Sequence, residues 1–243
     1  MELEGKIVLV TGGGSGIGLG IALALARQGC RVAITGRNPQ RLEAAAAQFE
    51  GRPPLLTRPC DVADRADVEA LFAWLGQELG PPDILINNAG INVPKRGIAE
   101  LDPADWVRML AINATGAFNC IHAALPDMRR CGGGLIVNIS SIAGKRAMKL
   151  GGAGYCAAKF AMTALGTTVG LEERANGIHV TNIYPGEVNT PILAQRPVPV
   201  PEEKKAQMVH PEDIAAMVVA IAKLPPRVLV PELVITPMYQ EYA

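Results

Sequence analysis

The feature that most limits the fold of this chain is a regular alternation of two kinds of segment. Short runs rich in apolar and β-branched residues alternate with alanine-rich stretches whose apolar residues recur at helical spacing. This alternation is typical of a parallel sheet whose crossover helices cover both faces. We therefore predict an α/β protein with three layers and a doubly wound, mostly parallel sheet of seven strands, with the sequences IVLV, RVAIT, PLLTRP, DILIN, LIVNIS, HVTNIY and ELVI.

Local signals predict helix starts and one irregular segment. A capping residue followed by proline marks three starts, at Asn38, Asp102 and His210. No linker, charge block or repeat interrupts the alternation, so residues 1–243 are predicted to form a single domain. The stretch from Pro185 to Lys205 is too rich in proline for regular structure, and we expect a short substrate lid at about 187–205.

Composition and charge exclude several classes of partner. The chain has 243 residues, 49% of them hydrophobic, and its 23 Lys plus Arg residues balance 23 Asp plus Glu residues. This balance gives no net field to attract nucleic acid or an anionic membrane. The N-terminal sequence MELEGKIVLV carries charges where a signal peptide needs an apolar core, and no membrane-spanning apolar run follows. We expect a cytoplasmic protein.

The cysteines and histidines do not form a pattern that holds a metal. The five cysteines are scattered and lack CxxC spacing, which fits reduced thiols better than disulfides or zinc. His122, His179 and His210 have no ordered carboxylate or cysteine partner and are interpreted as structural. No metal is predicted.

A glycine-rich turn follows the first strand, in the sequence LVTGGGSGIGLGIALALA. It lacks the lysine of a P-loop, the last glycine of a GxSxG nucleophile elbow, and any register of GxGxxG. It fits TGxxxGxG, with Thr11, Gly12, Gly16 and Gly18. Glycines allow a tight turn and close backbone approach, and a helix N-terminus favours a pyrophosphate. We predict a nucleotide site here; a glycine-rich turn without a ligand is the alternative.

Five further motifs follow this turn in a fixed order. They are NNAG (Asn87–Gly90), INATG around Asn113, NISSIAG (Asn138–Gly144), YCAAK (Tyr155–Lys159) and YPGEVNT (Tyr184–Thr190). With TGxxxGxG, their order and spacing resemble the short-chain dehydrogenase/reductase family from Gly5 to about Ile235. The resemblance implies a single Rossmann domain that holds NAD(P) and interconverts a small-molecule carbonyl and alcohol.

Tyr155 and Lys159 lie four residues apart in a helical pattern, so both project from one face. An ammonium near a phenol favours the phenolate, and Tyr155 then exchanges a proton with the substrate oxygen. The resemblance makes Ser141 the residue that holds this oxygen by a hydrogen bond. It also makes Asn113 the holder of a proton-relay water behind Lys159. The alternatives are an ordinary helix tyrosine with a surface lysine, a strand-end hydroxyl, which is our interpretation of Ser140, and a core amide.

The resemblance also implies which residues bind the cofactor. Asp61 and Val62 are expected at the adenine, the NNAG turn at the adenosine ribose, and the PGEVNT segment at the nicotinamide. The complete predicted set is Thr11, Gly12, Gly14, Ser15, Gly16, Ile17, Gly18, Arg37, Asp61, Val62, Asn88, Ala89, Gly90, Tyr155, Lys159, Pro185, Gly186, Val188 and Thr190.

The end of the second strand predicts the choice of cofactor. NAD-selective folds place an acidic residue there to bond the ribose hydroxyls. This chain has Gly36 followed by Arg37, with Arg41 one helical turn further. A guanidinium at this place favours a 2′-phosphate, so we predict NADP(H), with NAD(H) as the alternative. A solvated loop arginine is the other interpretation, and Ser15 stands where NADP-preferring relatives often have a second basic residue.

Two helical segments, Asp105–Met128 and Tyr155–Leu171, contain more apolar and small residues than contact with one sheet requires. The resemblance implies that subunits pair across these helices. We predict a homotetramer, with a dimer as the alternative.

Three other functions are alternatives to an NADP(H)-dependent oxidoreductase. An α/β hydrolase is disfavoured because GxSxG is absent. A catalytically idle NADP-sensing regulator on the same fold is disfavoured because Tyr155 and Lys159 are both present, and an NAD-dependent alcohol dehydrogenase is the remaining alternative.

Overall fold

Among residues 2–241, seven strands form the central layer: β1 (Ile7–Thr11), β2 (Arg31–Gly36), β3 (Leu56–Pro59), β4 (Ile84–Asn87), β5 (Gly134–Ile139), β6 (Ile178–Pro185) and β7 (Glu232–Ile235). They belong to a computed structural model that describes residues 2–241. The strand order is β3-β2-β1-β4-β5-β6-β7, and every neighbouring pair is parallel. The predicted seven-stranded, doubly wound sheet is confirmed. Strands β2 and β3 are added on one side of β1 and strands β4 to β7 on the other, so the strand order reverses between β1 and β4. Such sheets bind ligands at this point.

In the described range, eight α-helices connect these strands: α1 (Gly16–Ala26), α2 (Pro39–Ala46), α3 (Arg65–Glu78), α4 (Pro103–Leu110), α5 (Gly116–Arg130), α6 (Ala153–Glu172), α7 (Glu202–Lys205) and α8 (Pro211–Ala222). The three predicted starts are confirmed. Asn38 and Asp102 accept hydrogen bonds from backbone N–H groups of the first turn, at 2.8 and 2.7 Å. At His210 the bond runs the other way, because its N–H donates to the Asp213 carboxylate at 2.8 Å.

Alternating side chains along the strands build two cores, one on each face of the sheet. In β1, Val8 and Val10 pack toward α1, α2 and α8, whereas Leu9 packs toward α3, α5 and α6. All three side chains are fully buried. Full burial of an aliphatic side chain contributes about 1.5–3 kcal/mol, so each face of the sheet fixes its own helices. This packing produces the predicted three layers.

Three buried asparagines form an amide ladder across the strand ends. Asn87, Asn138 and Asn182 occupy matching registers on β4, β5 and β6. Asn87 donates to Asn138 at 3.0 Å, and Asn138 donates to Asn182 at 3.0 Å. Gly166 of α6 lies against this ladder, where a Cβ would come within 2.2 Å of the Asn182 Oδ1 atom. The ladder therefore joins β4, β5 and β6 near their carboxyl ends, beside which the predicted catalytic residues lie.

The prediction that the segment from Pro185 to Lys205 lacks regular structure is partly wrong, whereas its role as a lid stays a prediction. The segment contains a 3₁₀ turn at Pro191–Gln195 and the short helix α7. Pro191 occupies the first turn of one and Pro201 caps the other. Proline is tolerated at these positions because its missing N–H has no helical partner there. The prolines thus begin short helical turns instead of preventing them.

Candidate active site

A cavity of about 440 Å³ lies at the carboxyl ends of the strands, where the strand order reverses. It is the position expected for a ligand in an open α/β sheet. Most of the predicted site residues line it: Gly12, Gly14, Ser15, Gly16, Ile17, Arg37, Asp61, Val62, Asn88, Ala89, Gly90, Ser141, Tyr155, Lys159, Pro185, Gly186, Val188 and Thr190. Thr11, Gly18 and Asn113 lie outside its lining.

The glycine-rich turn forms one wall through close backbone approach. Gly12 has a φ of +63°, and a Cβ there would lie 2.9 Å from the Ala89 Cα atom. Asn88 fixes the same turn, because its side-chain amide donates to the carbonyls of Thr11 and Gly12 at 3.0 and 3.1 Å. Gly18 gives this amide room, since a Cβ there would lie 2.4 Å from its nitrogen. Only glycine fits at these two positions.

The N-terminus of α1 opens toward this wall. Ser15 is the N-cap residue, but its side chain makes no capping hydrogen bond. The first backbone N–H groups of a helix have no intrahelical partner, and they carry the positive end of the helix dipole. Ser15, Gly16 and Ile17 all line the cavity. The glycine cradle and the uncapped helix end therefore fit the diphosphate of a dinucleotide.

Thr11 supports the wall from behind. Its hydroxyl accepts the N–H groups of Asn88 and Ala89 at 3.0 and 3.1 Å and donates to the Ile86 carbonyl at 3.3 Å. The side chain is buried. Thr11 therefore joins the end of β1 to the turn after β4 and shapes the site.

Two arginines stand at the end of β2. Arg37 is exposed and lines the cavity directly after Gly36. Arg41 passes over the glycine-rich turn, where its Cγ atom lies 3.3 Å from the position a Cβ of Gly14 would take. Within residues 2–241, neither guanidinium forms an ion pair. Both charges are therefore available to an anionic group at this end of the cavity.

Ser141, Tyr155 and Lys159 meet at the other end of the cavity. Ser141 caps the 3₁₀ turn Ile142–Gly144, where its Oγ atom accepts the Ala143 N–H at 3.1 Å. Tyr155 and Lys159 share one face of α6, and the Lys159 Nζ atom lies 5.8 Å from the centre of the Tyr155 ring. Lys159 donates to the Ile139 carbonyl at 2.7 Å. The three side chains thus lie together at this end of the cavity.

Burial dominates the electrostatics of this group. It lowers the pKa of Lys159 to about 8, from its usual value of 10.5. It also raises the pKa of Tyr155, while a hydrogen bond with Ser141 and the charge of Arg96 lower that pKa. The sequence predicts that Lys159 favours the phenolate, but the groups that lower the pKa of Tyr155 are Ser141 and Arg96. The net pKa shift is upward, because a phenolate in this wall loses part of its hydration.

Asn113 lies in a π-helical turn, Ala111–Thr115, between α4 and α5. Its side chain bonds both backbone groups of Ile91, accepting at 2.7 Å and donating at 2.9 Å. Its Oδ1 atom and the Lys159 Nζ atom lie 3.2 and 3.6 Å from the position a Cβ of Gly90 would take. Asn113 therefore fixes the loop after β4 close to Lys159, with its amide already bonded.

Several cavity residues were not predicted. They come from the loop after β4, the loop before α6, the lid and the segment after β7, and we call them the lid-side wall: Asn92, Arg96, Met148, Ile192, Arg196 and Gln240. These positions lie in irregular sequence without periodicity, so no pattern pointed to them. Ser140 behaves as interpreted, because its hydroxyl bonds the Lys159 carbonyl at 3.2 Å.

Apart from Cys60, which lines the cavity, the cysteines and histidines lie outside the cavity lining, although Cys156 directly follows Tyr155. All five cysteines are free thiols, and burial raises the pKa of Cys30 and Cys60 to about 11 and about 12. His179 bonds the Pro226 carbonyl at 2.9 Å. Within the described part of the chain, no group of His, Cys, Asp and Glu side chains could hold a metal, and no helix could cross a membrane.

Comparison with known proteins gives a consistent family. The family described as short chain dehydrogenase matches residues 6–198. Glycine betaine reductase ATRR from Emericella nidulans is 34% identical over 241 residues, which are 97% of this chain and 19% of that protein. The 2,5-dichloro-2,5-cyclohexadiene-1,4-diol dehydrogenase LinX from Sphingobium indicum is 36% identical over 208 residues, which are 85% of this chain and 82% of that protein.

A solved structure extends the likeness to the fold. The alcohol dehydrogenase from Thermococcus sibiricus, complexed with 5-hydroxy-NADP, has a TM-score of 0.88 at 31% identity and covers 98% of this chain and 99% of its own. The chain belongs to the short chain dehydrogenase family. It is an oxidoreductase of alcohol and carbonyl groups with a nicotinamide cofactor, NAD(P)(H), as predicted.

Proposed function

We propose that this protein is an NADP(H)-dependent dehydrogenase/reductase that transfers a hydride between the nicotinamide and a carbonyl or secondary alcohol carbon. The observation that carries this proposal is the convergence of Ser141, Tyr155 and Lys159 on the cavity that also contains the glycine cradle and Arg37. One end of the cavity offers hydrogen-bond donors that can hold the diphosphate of the cofactor, and the other end offers a proton donor. Reduction of a carbonyl by a bound nicotinamide needs both a cofactor site and a proton donor.

Tyr155 acts as the general acid/base. During reduction its hydroxyl gives a proton to the substrate oxygen, and during oxidation its phenolate takes the proton back. Ser141 holds the same oxygen through its hydroxyl and stabilises the charge that develops there. The bound nicotinamide supplies or accepts the hydride. Because burial raises the pKa of Tyr155, the phenol is protonated at neutral pH, which suits the reductive direction.

Lys159 supports this exchange through its charge. Its ammonium lies near the Tyr155 ring and is anchored by the Ile139 carbonyl at 2.7 Å. A positive charge at this distance stabilises the phenolate that remains after proton donation. We also assign Lys159 contacts to the nicotinamide ribose. Asn113 positions the loop that faces Lys159. We propose that a water molecule held between this loop and Lys159 relays the proton.

Arg37 selects the phosphorylated cofactor. It follows Gly36 at the end of β2, it has no ion-pair partner among residues 2–241, and Arg41 adds a second charge beside Gly14. Guanidinium groups bind phosphate through charge-assisted hydrogen bonds. The complex of the Thermococcus sibiricus relative with 5-hydroxy-NADP supports the same preference.

The proposal includes a homotetramer of single-domain subunits, spanning residues 1–243 with the lid at 187–205, in the cytoplasm. Helices α4, α5 and α6 expose large apolar side chains, namely Val107, Phe118, Phe160 and Leu171. Exposed apolar faces of this kind are suited to contact between copies. Light scattering at micromolar concentration tests this assembly: a tetramer is expected, a dimer is the alternative, and a stable monomer contradicts it.

A panel of ketones and secondary alcohols tests the activity. Each is incubated with the protein and NADP(H) or NAD(H), and the absorbance of the reduced nicotinamide is followed. We expect turnover of at least one compound, with higher efficiency for NADP(H). Tight NADP(H) binding without turnover of any compound would instead favour the idle regulator, and higher efficiency with NAD(H) would favour the NAD-dependent alcohol dehydrogenase.

A further inference from the structure

Arg96 is a buried cation in the lid-side wall that the proposed chemistry does not use. It lies in the loop between β4 and α4, lines the cavity and is only 8% exposed. Its Nε atom donates to the Val93 carbonyl at 2.7 Å, and Nη1 donates to the Leu150 carbonyl at 3.1 Å. Nη2 donates to the Gln195 carbonyl in the lid. The guanidinium is therefore held in one place by three segments.

No carboxylate neutralises this charge within residues 2–241. Arg96 forms no ion pair, and its guanidinium bonds only backbone carbonyls. Burial lowers the pKa of Arg96, and the positive charge of Arg196 lowers it further. Buried charges are ordinarily paired, because an isolated one is costly to desolvate. An uncompensated guanidinium in a cavity wall therefore points to an anion that arrives with a ligand.

The neighbouring charges add to this excess. Glu187 also lines the cavity, and two cations share its carboxylate: Arg196 at 2.9 Å and Lys204 at 3.2 Å. Its negative charge is thus already balanced before Arg96 is considered. Of the charged side chains that line this end of the cavity, Arg96 and Arg196 are cations and Glu187 is the anion, and this excess of positive charge attracts an anionic substrate.

We propose that Arg96 is a specificity-determining residue and that the substrate carries a carboxylate beside its reacting carbonyl or alcohol. This inference rests on the proposed function and adds its substrate class. A guanidinium has five N–H groups, and three of those of Arg96 are bonded to carbonyls. Nη1 and Nη2 each keep a second N–H, and a carboxylate has two oxygens that can accept such a pair of hydrogen bonds.

The position of Arg96 relative to Tyr155 supports this role. The charge of Arg96 lowers the pKa of Tyr155, so the guanidinium acts within electrostatic range of the phenol. Leu150, which anchors Nη1, lies five residues before Tyr155 in the loop that leads into α6. Because three carbonyls fix the guanidinium in advance, little conformational entropy is lost when a carboxylate binds. A keto acid or hydroxy acid is therefore oriented by its acid group toward Tyr155.

Matched pairs of an acid and its methyl ester test the inference. The probes are 2-oxobutanoate, 3-oxobutanoate and 4-oxopentanoate with their methyl esters, which place the acid at increasing distances from the ketone. Binding to the NADP⁺-loaded enzyme is measured by calorimetry and turnover with NADPH by absorbance. A charge-assisted hydrogen bond contributes about 1.5–3 kcal/mol, so we expect at least one acid to exceed its ester by about 10- to 100-fold.

Three variants separate the charge from its structural contacts. Arg96→Met should bring the acid-to-ester ratio close to one, and Arg96→Lys, which keeps the charge but loses the fork, should give an intermediate ratio. Lys95→Met removes an exposed cation next in sequence and should leave the ratio unchanged. If Arg96→Met does not fold, the wild-type ratio and Arg96→Lys still decide the question.

The outcomes separate this inference from the function on which it rests. Esters that match their acids in the wild-type enzyme, acids that do not bind, or an Arg96→Met variant that weakens acid and ester equally would each overturn the acid-binding role. Turnover of ketones without preference for acids leaves the proposed function intact. Binding of acids without any hydride transfer supports the anion site and contradicts the proposed function.

Discussion

Exchange of Arg37 for Asp should reverse much of the preference for NADP(H). A charge-assisted hydrogen bond to the 2′-phosphate is worth about 1.5–3 kcal/mol, and Arg37→Asp removes it. The new carboxylate adds roughly 1 kcal/mol of repulsion from the nearest phosphate charge at about 4 Å in water. The sum corresponds to a fall of about 100- to 1000-fold in the NADP-to-NAD efficiency ratio. Arg37 is exposed and Arg41 remains, so we expect the lower end.

The assay compares kcat/KM for NADP⁺ and NAD⁺ in both proteins at low and high salt. Because the interaction is electrostatic and exposed, salt should reduce the wild-type preference. Arg227→Asp is the matched control, since Arg227 is an exposed arginine of the loop before β7 that does not line the cavity. Equal efficiencies in the wild-type enzyme, or a ratio that Arg37→Asp leaves unchanged, would refute the assignment of the phosphate to Arg37.

Three further predictions concern stability and the cavity wall. Burial lowers the pKa of Lys159 to about 8, so the unfolded state binds more protons than the folded state between pH 8 and pH 10.5. In denaturant titrations, the difference in stability between wild type and Lys159→Met should therefore rise with pH in that window, by at most about 1.4 kcal/mol per pH unit. A difference that does not change with pH would contradict the lowered pKa of Lys159. Gly166→Ala places a Cβ 2.2 Å from the Asn182 Oδ1 atom and should destabilise the fold by about 1–3 kcal/mol. In contrast, Gly76→Ala in α3 meets nothing within 4 Å and should stabilise it by about 0.5–1 kcal/mol; equal effects on the melting temperature would show that the ladder can give way. Thr11→Val removes the acceptor of two N–H groups, so it should lower stability by about 1–3 kcal/mol and weaken NADPH binding measured by fluorescence, whereas unchanged binding would separate Thr11 from the cofactor wall.

The layers of the fold could be predicted because they follow from local patterns. Buried parallel strands need continuous apolar runs, and crossover helices need an apolar face, so the alternation fixed the architecture. The helix starts at Asn38 and Asp102 could also be predicted, because each capping hydrogen bond joins residues only two or three positions apart. The site could be predicted for the same reason, since the glycine-rich turn and the YxxxK spacing place their residues at strand ends and on one helix face.

What escaped prediction depends on contacts between distant segments. The π-helical turn at Asn113 follows from its two bonds to Ile91, which lies 22 residues away. The Arg96 side chain is held in the cavity wall by hydrogen bonds to the Leu150 and Gln195 carbonyls. Its loop has no hydrophobic periodicity from which this position could be predicted. The raised pKa of Tyr155 depends on how deeply the fold buries the phenol, which the four-residue spacing to Lys159 does not determine.

The most direct test of the central claim is the turnover of Tyr155→Phe together with its affinity for NADPH. This exchange removes the transferable proton and keeps the ring, so we expect turnover to fall by at least about 100-fold while NADPH binding, measured by fluorescence, stays within about twofold. Tyr184→Phe is the control, because it removes a hydroxyl that bonds Glu232 at 2.9 Å and lies outside the cavity lining. Near-normal turnover by Tyr155→Phe would contradict the account, because another group would then have to supply the proton.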